Sequence, residues 1–493
     1  MKIQGTPFSA QMAHQPDPRR WLMLTVVLCA ALIAVLDTFI VNVAIPSIER
    51  ELHASFAQVQ LVVAGYTLSY AVLLVTGGRL GDLYGRKRLF VLGVGSFTVF
   101  SALCGVAPNA ILLIVFRMFQ GGAAALMFPQ VLSFIQVSFE PDERPRAFGY
   151  YAAVTGLGSI LGQVLGGFLL AAAIFNLGWR SIFLVNVPIG ILTLLAAFPL
   201  LRESRRPEAR SLDSGGVALL TFALFLLVFP LVEGGNAGWP LWAVICLVLS
   251  VPCLIAFLAY EQRITKQGKT PLVSLVLFQQ RRFSSGILTV ALAYALFAAN
   301  LFLFAFYLQT ILGLTPLRAG LVIMTVSIAY VLASSLNPVI SPRLGKRSLI
   351  VAAVLVILGY LLIFLVTQFL VPGWGIPPLL VALFILGLGM GTLMAPLLNK
   401  TLEGIAPHDA GAASGVFMTA FSTAGALGVA VIGLLDVALT RSSGSPLHAF
   451  ILSIVVITLL SLGLSLTVQP LSKPLTPPTE SDSRLHRQRG GNT

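Results

Sequence analysis

The sequence predicts an all-α polytopic membrane protein with fourteen transmembrane helices, and three observations carry that reading. The 493-residue chain is 57% hydrophobic and only 10% charged, whereas a soluble globular chain is about a quarter charged. Apolar runs of about 20 residues, long enough to cross a hydrocarbon core about 30 Å thick, recur from one end to the other. When the gaps between fourteen such runs are numbered alternately, 26 of the 31 Lys and Arg fall on the side of the N-terminus. Arg50, Arg180, Arg318 and Arg441 fall on the other side, and Arg117 lies within a run. A single missed helix would scramble that asymmetry, so the count tests the assignment. The positive-inside rule then puts both termini in the cytoplasm of a multi-pass protein in the cell (plasma) membrane. The net charge of +13 is topological on this reading and implies no nucleic-acid partner.

The elements follow in order. A polar segment, 1–20, precedes span 1 at 21–46, which is too long for a signal-peptide core and carries Asp37 near its middle. Span 2, 57–77, runs into the loop "GGRLGDLYGRKR" at 77–88. Spans 3 and 4, 89–107 and 110–136, are separated by a short Pro-Asn turn, and span 5, 147–173, holds the glycine run "GLGSILGQVLGG" at 156–167. Span 6, 181–201, opens after Trp179 and Arg180. Spans 7 and 8, 214–232 and 239–260, lie between two basic linkers. Six more follow at 284–312, 317–340, 348–368, 376–398, 410–438 and 449–468. Trp179, Trp239, Trp242 and Trp374 fall at the predicted outer boundary, where an aromatic belt belongs. Cys29, Cys104, Cys246 and Cys253 all sit in apolar runs and read as small buried residues.

The two ends of the chain resemble each other. "LMFP" at 126–129 matches "LMAP" at 393–396, an offset that also pairs Gly122 with Gly389, and "RLGDLYGRKRLFV" at 79–91 has a shortened echo in "RLGKRSLIV" at 343–351. The expected division is a cytoplasmic segment 1–20, a six-helix bundle 21–201, a two-helix insert with its linkers 202–283, a second six-helix bundle 284–468, and a disordered cytoplasmic tail 469–493. Two inserted helices return the chain to the same side, so both halves keep one orientation, as in transporters built from parallel repeats.

"GGRLGDLYGRKR" resembles the loop between helices 2 and 3 of the major facilitator superfamily, and "RMFQGGAAALMFP" at 117–129 its fourth-helix motif. "LDTFIVNVAIP" at 36–46 and "WRSIFLVNVP" at 179–188 resemble signatures of its fourteen-helix drug:proton antiporter branch, the multidrug efflux type. The resemblance spans residues 20–468 and implies a major facilitator fold arranged as 6 + 2 + 6 helices. It further implies that the acid matching Asp82 faces the start of helix 11, which on this count begins near Ser348. A carboxylate against the exposed N–H groups there would latch one state of the transporter. Gly78 and Gly85 bracket the turn, and Arg86 follows it; Arg79, Lys87 and Arg88 also serve to fix topology.

The remaining candidates come from the residues themselves. Asp37 and Arg117 are charges at membrane depth, where an ionisable group is expensive and marks function. Both are assigned to proton coupling. Desolvation favours a neutral Asp37 and a nearby guanidinium an ionised one, so opening and closing the site to water would load and release a proton. Gly158, Gly162 and Gly166 recur every four residues on one face of span 5 and permit close helix approach. Gln163, between them and Gly167, stands where antiporters of the superfamily usually have proline. Asn42, Tyr66, Tyr70, Tyr307 and Gln309 are candidates to line a substrate cavity, and Phe306, Asn186 and Asp436 are weaker candidates.

No phosphate-binding loop, HExxH or GxSxG appears, and all five histidines fall in tails or loops, so the sequence points to neither an enzyme nor an ATP motor. No cofactor or metal is expected; the partners are a small-molecule substrate, protons and the lipid bilayer, with the monomer as the working unit. Three readings stay open: proton-coupled export of amphiphilic small molecules, facilitated movement of a metabolite or lipid without obligatory antiport, and a membrane sensor or scaffold that does not transport.

Overall fold

The computed structural model describes residues 18–472 except 55, 172–176, 205–212, 235–237, 268, 270, 315, 371–374, 404 and 406–408. The N-terminal segment up to residue 17 and the tail from 473 lie outside those residues. Among the described residues there are fourteen helices long and apolar enough to cross a membrane. They are α1 (Arg20–Leu52), α2 (Phe56–Tyr84), α3 (Arg86–Gly105), α4 (Ala110–Ser138), α5 (Arg144–Ala171) and α6 (Gly178–Leu200). Then come α7 (Ser214–Glu233), α8 (Leu241–Lys266), α9 (Arg281–Phe306), α10 (Pro316–Leu344), α11 (Ser348–Leu365), α12 (Pro377–Leu402), α13 (Ala410–Ser443) and α14 (Pro446–Leu471). Several run past their apolar spans. The first continues through Glu49, Arg50 and Glu51 to a left-handed C-cap at His53, because hydropathy reports the bilayer and not the end of the hydrogen-bonded helix.

Small residues set how closely the helices approach. A Cβ on Gly121 of α4 would come within 2.3 Å of the Tyr66 carbonyl of α2, and one on Gly387 of α12 within 2.3 Å of the Val326 carbonyl of α10. These contacts occupy corresponding helices of the two halves, as the internal repeat leads one to expect. The repeated prolines, Pro129 and Pro396, both lie inside helices, where each removes a backbone donor. The stripe on α5 meets α1: a Cβ on Gly158 would sit 3.1 Å from Val35, and one on Gly162 would sit 2.8 Å from the Leu36 carbonyl. Gly167 has open space around it.

The inserted pair, α7 and α8, packs on α2. Leu220, Leu224, Val228 and Phe257 cover Leu68, Ala71, Val72 and Val75, with Val416 of α13 packed against the same cluster. The insert therefore lies beside the line where α2 meets α13.

Candidate functional site

Asp37, halfway along α1, is fully buried, and so is Arg117 of α4. Their side chains form a short ion pair from Arg117 Nη1 to Asp37 Oδ2. The guanidinium is held from three sides. Its Nε donates to the Val62 carbonyl of α2 at 3.1 Å, Nη1 also donates to Gln120 Oε1 at 2.8 Å, and the group lies 4.3 Å above the Tyr66 ring. Tyr66 in turn donates to the Ala34 carbonyl at 3.2 Å, one turn before Asp37.

The other carboxylate oxygen, Oδ1, accepts from Gln120 Nε2 at 3.0 Å and from Asn186 Nδ2, on α6, at 2.7 Å. Both amides also donate to Ser101 Oγ of α3 at 3.0 Å, and Ser101 donates to the Phe183 carbonyl. Five polar side chains from α1, α3, α4 and α6 thus form one buried network around a single carboxylate. Desolvating an ion pair is expensive, and removing one partner of a buried pair costs about 3–5 kcal/mol. Gln120 and Ser101 were not singled out from the sequence. The signal for Gln120 was present, since it stands three residues after Arg117 and so on the same helix face. Ser101 left no local signal.

A second constellation lies at the basic end of the helices. Asp82, fully buried at the end of α2, accepts from the Gly411 amide at 3.1 Å and the Ala412 amide at 3.0 Å, and from Arg86 Nη2 at 2.7 Å. It caps the first turn of α13, whose own N-cap residue, Asp409, makes no side-chain capping bond. This corrects the expectation that Asp82 faces the helix starting at Ser348. The eleventh helix of a twelve-helix major facilitator is the thirteenth here, because the insert adds two. Gly78 and Gly411 let the backbones touch: a Cβ on either would meet the other's carbonyl oxygen at 2.2–2.4 Å. Gly85 has φ +107°, and Glu203 accepts from the Lys87 and Arg88 amides at the start of α3.

The seam between the halves is closed at this end by more than one contact. Gln136 Nε2, on α4, donates to the Leu402 carbonyl at the end of α12 at 2.6 Å. Gly149 and Gly156 of α5 abut Pro338 and Tyr330 of α10, and the Tyr151 hydroxyl lies 3.8 Å from Met418 Sδ. Deeper in, aromatic side chains of both halves converge. Tyr66 stacks on Tyr70, Tyr70 and Tyr151 each meet Phe128 edge-on, and Tyr294 stacks on Phe421 at 3.6 Å.

Other candidates fall elsewhere. Tyr307 stacks on Phe450 at 4.2 Å inside the second half, while Gln309 is exposed and bonds its own helix, so neither joins Tyr66 and Tyr70. Phe306 is exposed on the outer surface of α9. Asp436 is buried and accepts from Ser453 Oγ at 3.3 Å, away from the network around Asp37. The side chains of Asn42 and Gln163 lie outside the described residues.

The chain is similar to known proteins over most of its length. The family model of the Major Facilitator Superfamily matches residues 27–429. A probable actinorhodin transporter of Streptomyces coelicolor is 38% identical over 87% of this chain and 75% of its own length. A puromycin resistance protein of Streptomyces alboniger is 36% identical over 89% and 86%. A multidrug resistance protein of Mycobacterium tuberculosis is 31% identical over 81% and 72%. Among solved structures, a human organic anion transporter superposes with a TM-score of 0.68 over 92% of this chain and all of that one, at 16% identity. A proton:xylose symporter superposes at 0.63 over 90% and 96%, at 13% identity.

Proposed function

Because the chain belongs to the major facilitator superfamily, and is thus a multi-pass membrane transporter and not an enzyme, we propose that it exports amphiphilic small molecules in exchange for protons by alternating access. The observation that carries the proposal is the buried Asp37–Arg117 pair with its ring of amides. A carboxylate so placed is stable only while its guanidinium partner stays in position. When that partner moves or the site opens to water, the balance between ionised and neutral forms changes, and one proton is taken up or released per cycle. The basic end faces the cytoplasm of the plasma membrane on this reading, with both termini there. The state described here is then closed to the cytoplasm, with Asp82 as the latch.

The two six-helix bundles are 21–201 and 284–468, and 202–283 is an insert that leaves their orientation unchanged; one copy suffices for transport. The aromatic groups of Tyr66, Tyr70, Phe128, Tyr151, Tyr294 and Phe421 supply an apolar wall with hydroxyl tips, which suits amphiphilic cargo. The names of the relatives, which include a probable actinorhodin transporter and resistance proteins, support export over import. Gln163 in place of proline favours a second reading, facilitated movement without obligatory antiport.

Inverted membrane vesicles with an imposed pH gradient separate the two. With the interior acid, the parent accumulates radiolabelled puromycin and collapse of the gradient releases it. Asp37→Asn keeps shape and hydrogen bonding but cannot titrate, so it binds and exchanges the label without accumulating it. Accumulation by Asp37→Asn equal to the parent's would remove the carboxylate from the mechanism.

A further inference from the structure

Each side chain that hydrogen-bonds the Asp37 carboxylate donates an N–H to it: Arg117 Nη1 to Oδ2, and Gln120 Nε2 and Asn186 Nδ2 to Oδ1. That arrangement fits a carboxylate, which only accepts. It does not fit the neutral acid, whose O–H has to find an acceptor or be left unsatisfied in a site with no exposure to solvent. If Asp37 carries a proton, as proposed above, something in the network must invert.

The candidates can be eliminated in turn. Gln120 Oε1 already accepts from Arg117 Nη1 at 2.8 Å and faces Cys104 Sγ at 3.7 Å, so its amide is pinned in its present orientation. Ser101 Oγ accepts from both amides while donating to the Phe183 carbonyl. Asn186 differs. Its Nδ2 makes both of its bonds, while its Oδ1 is buried and has no hydrogen-bond partner among the described residues. A buried carbonyl oxygen without a donor costs about 1–3 kcal/mol and calls for an explanation. Among the described residues no hydrogen bond holds Oδ1 in its present position. A half-turn about its terminal bond brings that oxygen to the position of Nδ2, against both Asp37 Oδ1 and Ser101 Oγ.

We infer that Asn186 is the proton-dependent partner of Asp37: its amide donates to the carboxylate and turns over to accept from the neutral acid. The proton comes from water and stays on Asp37; no covalent bond of Asn186 changes. Asn186 is a positioning residue, acting through Asp37, and it makes the loaded state habitable in a site otherwise built of donors. The titratable or charged groups facing Asp37 from its neighbours are Arg117 on α4, Tyr66 on α2 and Cys104 on α3. α6 contributes Asn186, and α5 presents its glycine stripe to α1. None of these other groups offers a free acceptor at Oδ1.

The sign of one shift decides the matter. The full-length protein in lipid nanodiscs is titrated by infrared difference spectroscopy, and the carboxyl band missing from Asp37→Asn reports protonation of Asp37. Asn186→Leu removes one of three donors from the carboxylate but the sole acceptor from the acid. The midpoint is expected to fall by about one pH unit, a tenfold loss of proton affinity. Asn186→Ala gives the same sign should the leucine variant not purify as a monodisperse protein. Asn186→Ser keeps a donor and an acceptor and restores the midpoint towards the parent's. Gln120→Leu, which removes a pinned donor, moves it the other way. A midpoint that rises or stays in Asn186→Leu and Asn186→Ala overturns the role of Asn186 and leaves Asp37 as the carrier. Absence of any band specific to Asp37 overturns both.

Discussion

Asp82→Asn tests whether the closed seam is held by the cap on α13. The ion pair with Arg86 is internal to the first half and is present whether the seam is open or closed, so it drops out of the conformational balance. Of the bonds that Asp82 accepts, those from Gly411 and Ala412 cross the seam. A bond to a charged acceptor contributes about 1.5–3 kcal/mol. The asparagine oxygen retains one of the two, and its NH₂ group is turned towards the other amide, donor against donor. The charge also no longer meets the positive end of α13, a loss of about 0.3–2 kcal/mol. Together these amount to about 2–5 kcal/mol, a shift in the closed-to-open ratio of about 30- to 4,000-fold. The assay is cross-linking of Tyr151→Cys to Met418→Cys by a short bifunctional thiol reagent, with Cys29, Cys104, Cys246 and Cys253 removed. These two side chains touch only while the seam is closed. The cross-linking yield should fall steeply on adding Asp82→Asn, while the amount and thermal stability of the protein in the membrane change little. An undiminished yield would show that apolar packing at the seam suffices and that Asp82 is no latch.

Gln136→Leu removes the amide that holds the end of α12, and the same cross-link should weaken with it by about 3- to 15-fold, the value of one ordinary hydrogen bond; an unchanged yield would mean the bond is not limiting. Arg117→Met keeps the stem and loses the charge, so membrane abundance should remain near the parent's only if a neutral Asp37 is tolerated, and gradient-driven accumulation should vanish; normal accumulation would reduce Arg117 to packing. Gly162→Ala places a methyl group 2.8 Å from the Leu36 carbonyl and should lower stability by about 1–3 kcal/mol, read as a reduced thermal-aggregation midpoint, whereas Gly167→Ala should be silent.

How much of this was legible beforehand depended on the range of the physics. Helix number and order come from local hydropathy, and one window at a time suffices. Asp37 and Arg117 were legible as charges because the bilayer penalises each by itself. Their contact was not, since it joins residues 80 apart in sequence. The acid of the latch was visible in its loop, but its partner was misplaced by two helices. The run of small residues at Gly411–Gly415, which lets α13 come so close to α2, was the overlooked sign. Tyr307 and Gln309 illustrate the limit in another way. An aromatic or amide in an apolar helix does not announce which face it occupies, and at Tyr307–Ile311 the helix widens to a π turn, so regular projection fails there. Asn186 was noticed as a polar group, yet its unpaired oxygen exists only in three dimensions.

The coupling site and the gate are joined by two continuous helices, and this gives the mechanism its economy. α2 holds Arg117 through the Val62 carbonyl and shields it with Tyr66, then runs on to Asp82. α4 carries Arg117 itself and runs on to Gln136. At 1.5 Å per residue, Tyr66 to Asp82 and Arg117 to Gln136 are rods of about 24 and 28 Å. Their far ends grip two helix termini of the opposite half: Asp82 takes the amide end of α13, and Gln136 the carbonyl end of α12. Each grip matches the sign of the helix terminus it meets, an acid at the positive end and an N–H donor at the negative one. Protonating Asp37 weakens its hold on Arg117, and Arg117 is the side chain that ties α1, α2 and α4 together. On the proposed function, a change of one proton at Asp37 is thereby placed on the two rods that clasp the seam. On the proposed mechanism no chain of small side-chain adjustments is needed, because the helices themselves are the levers.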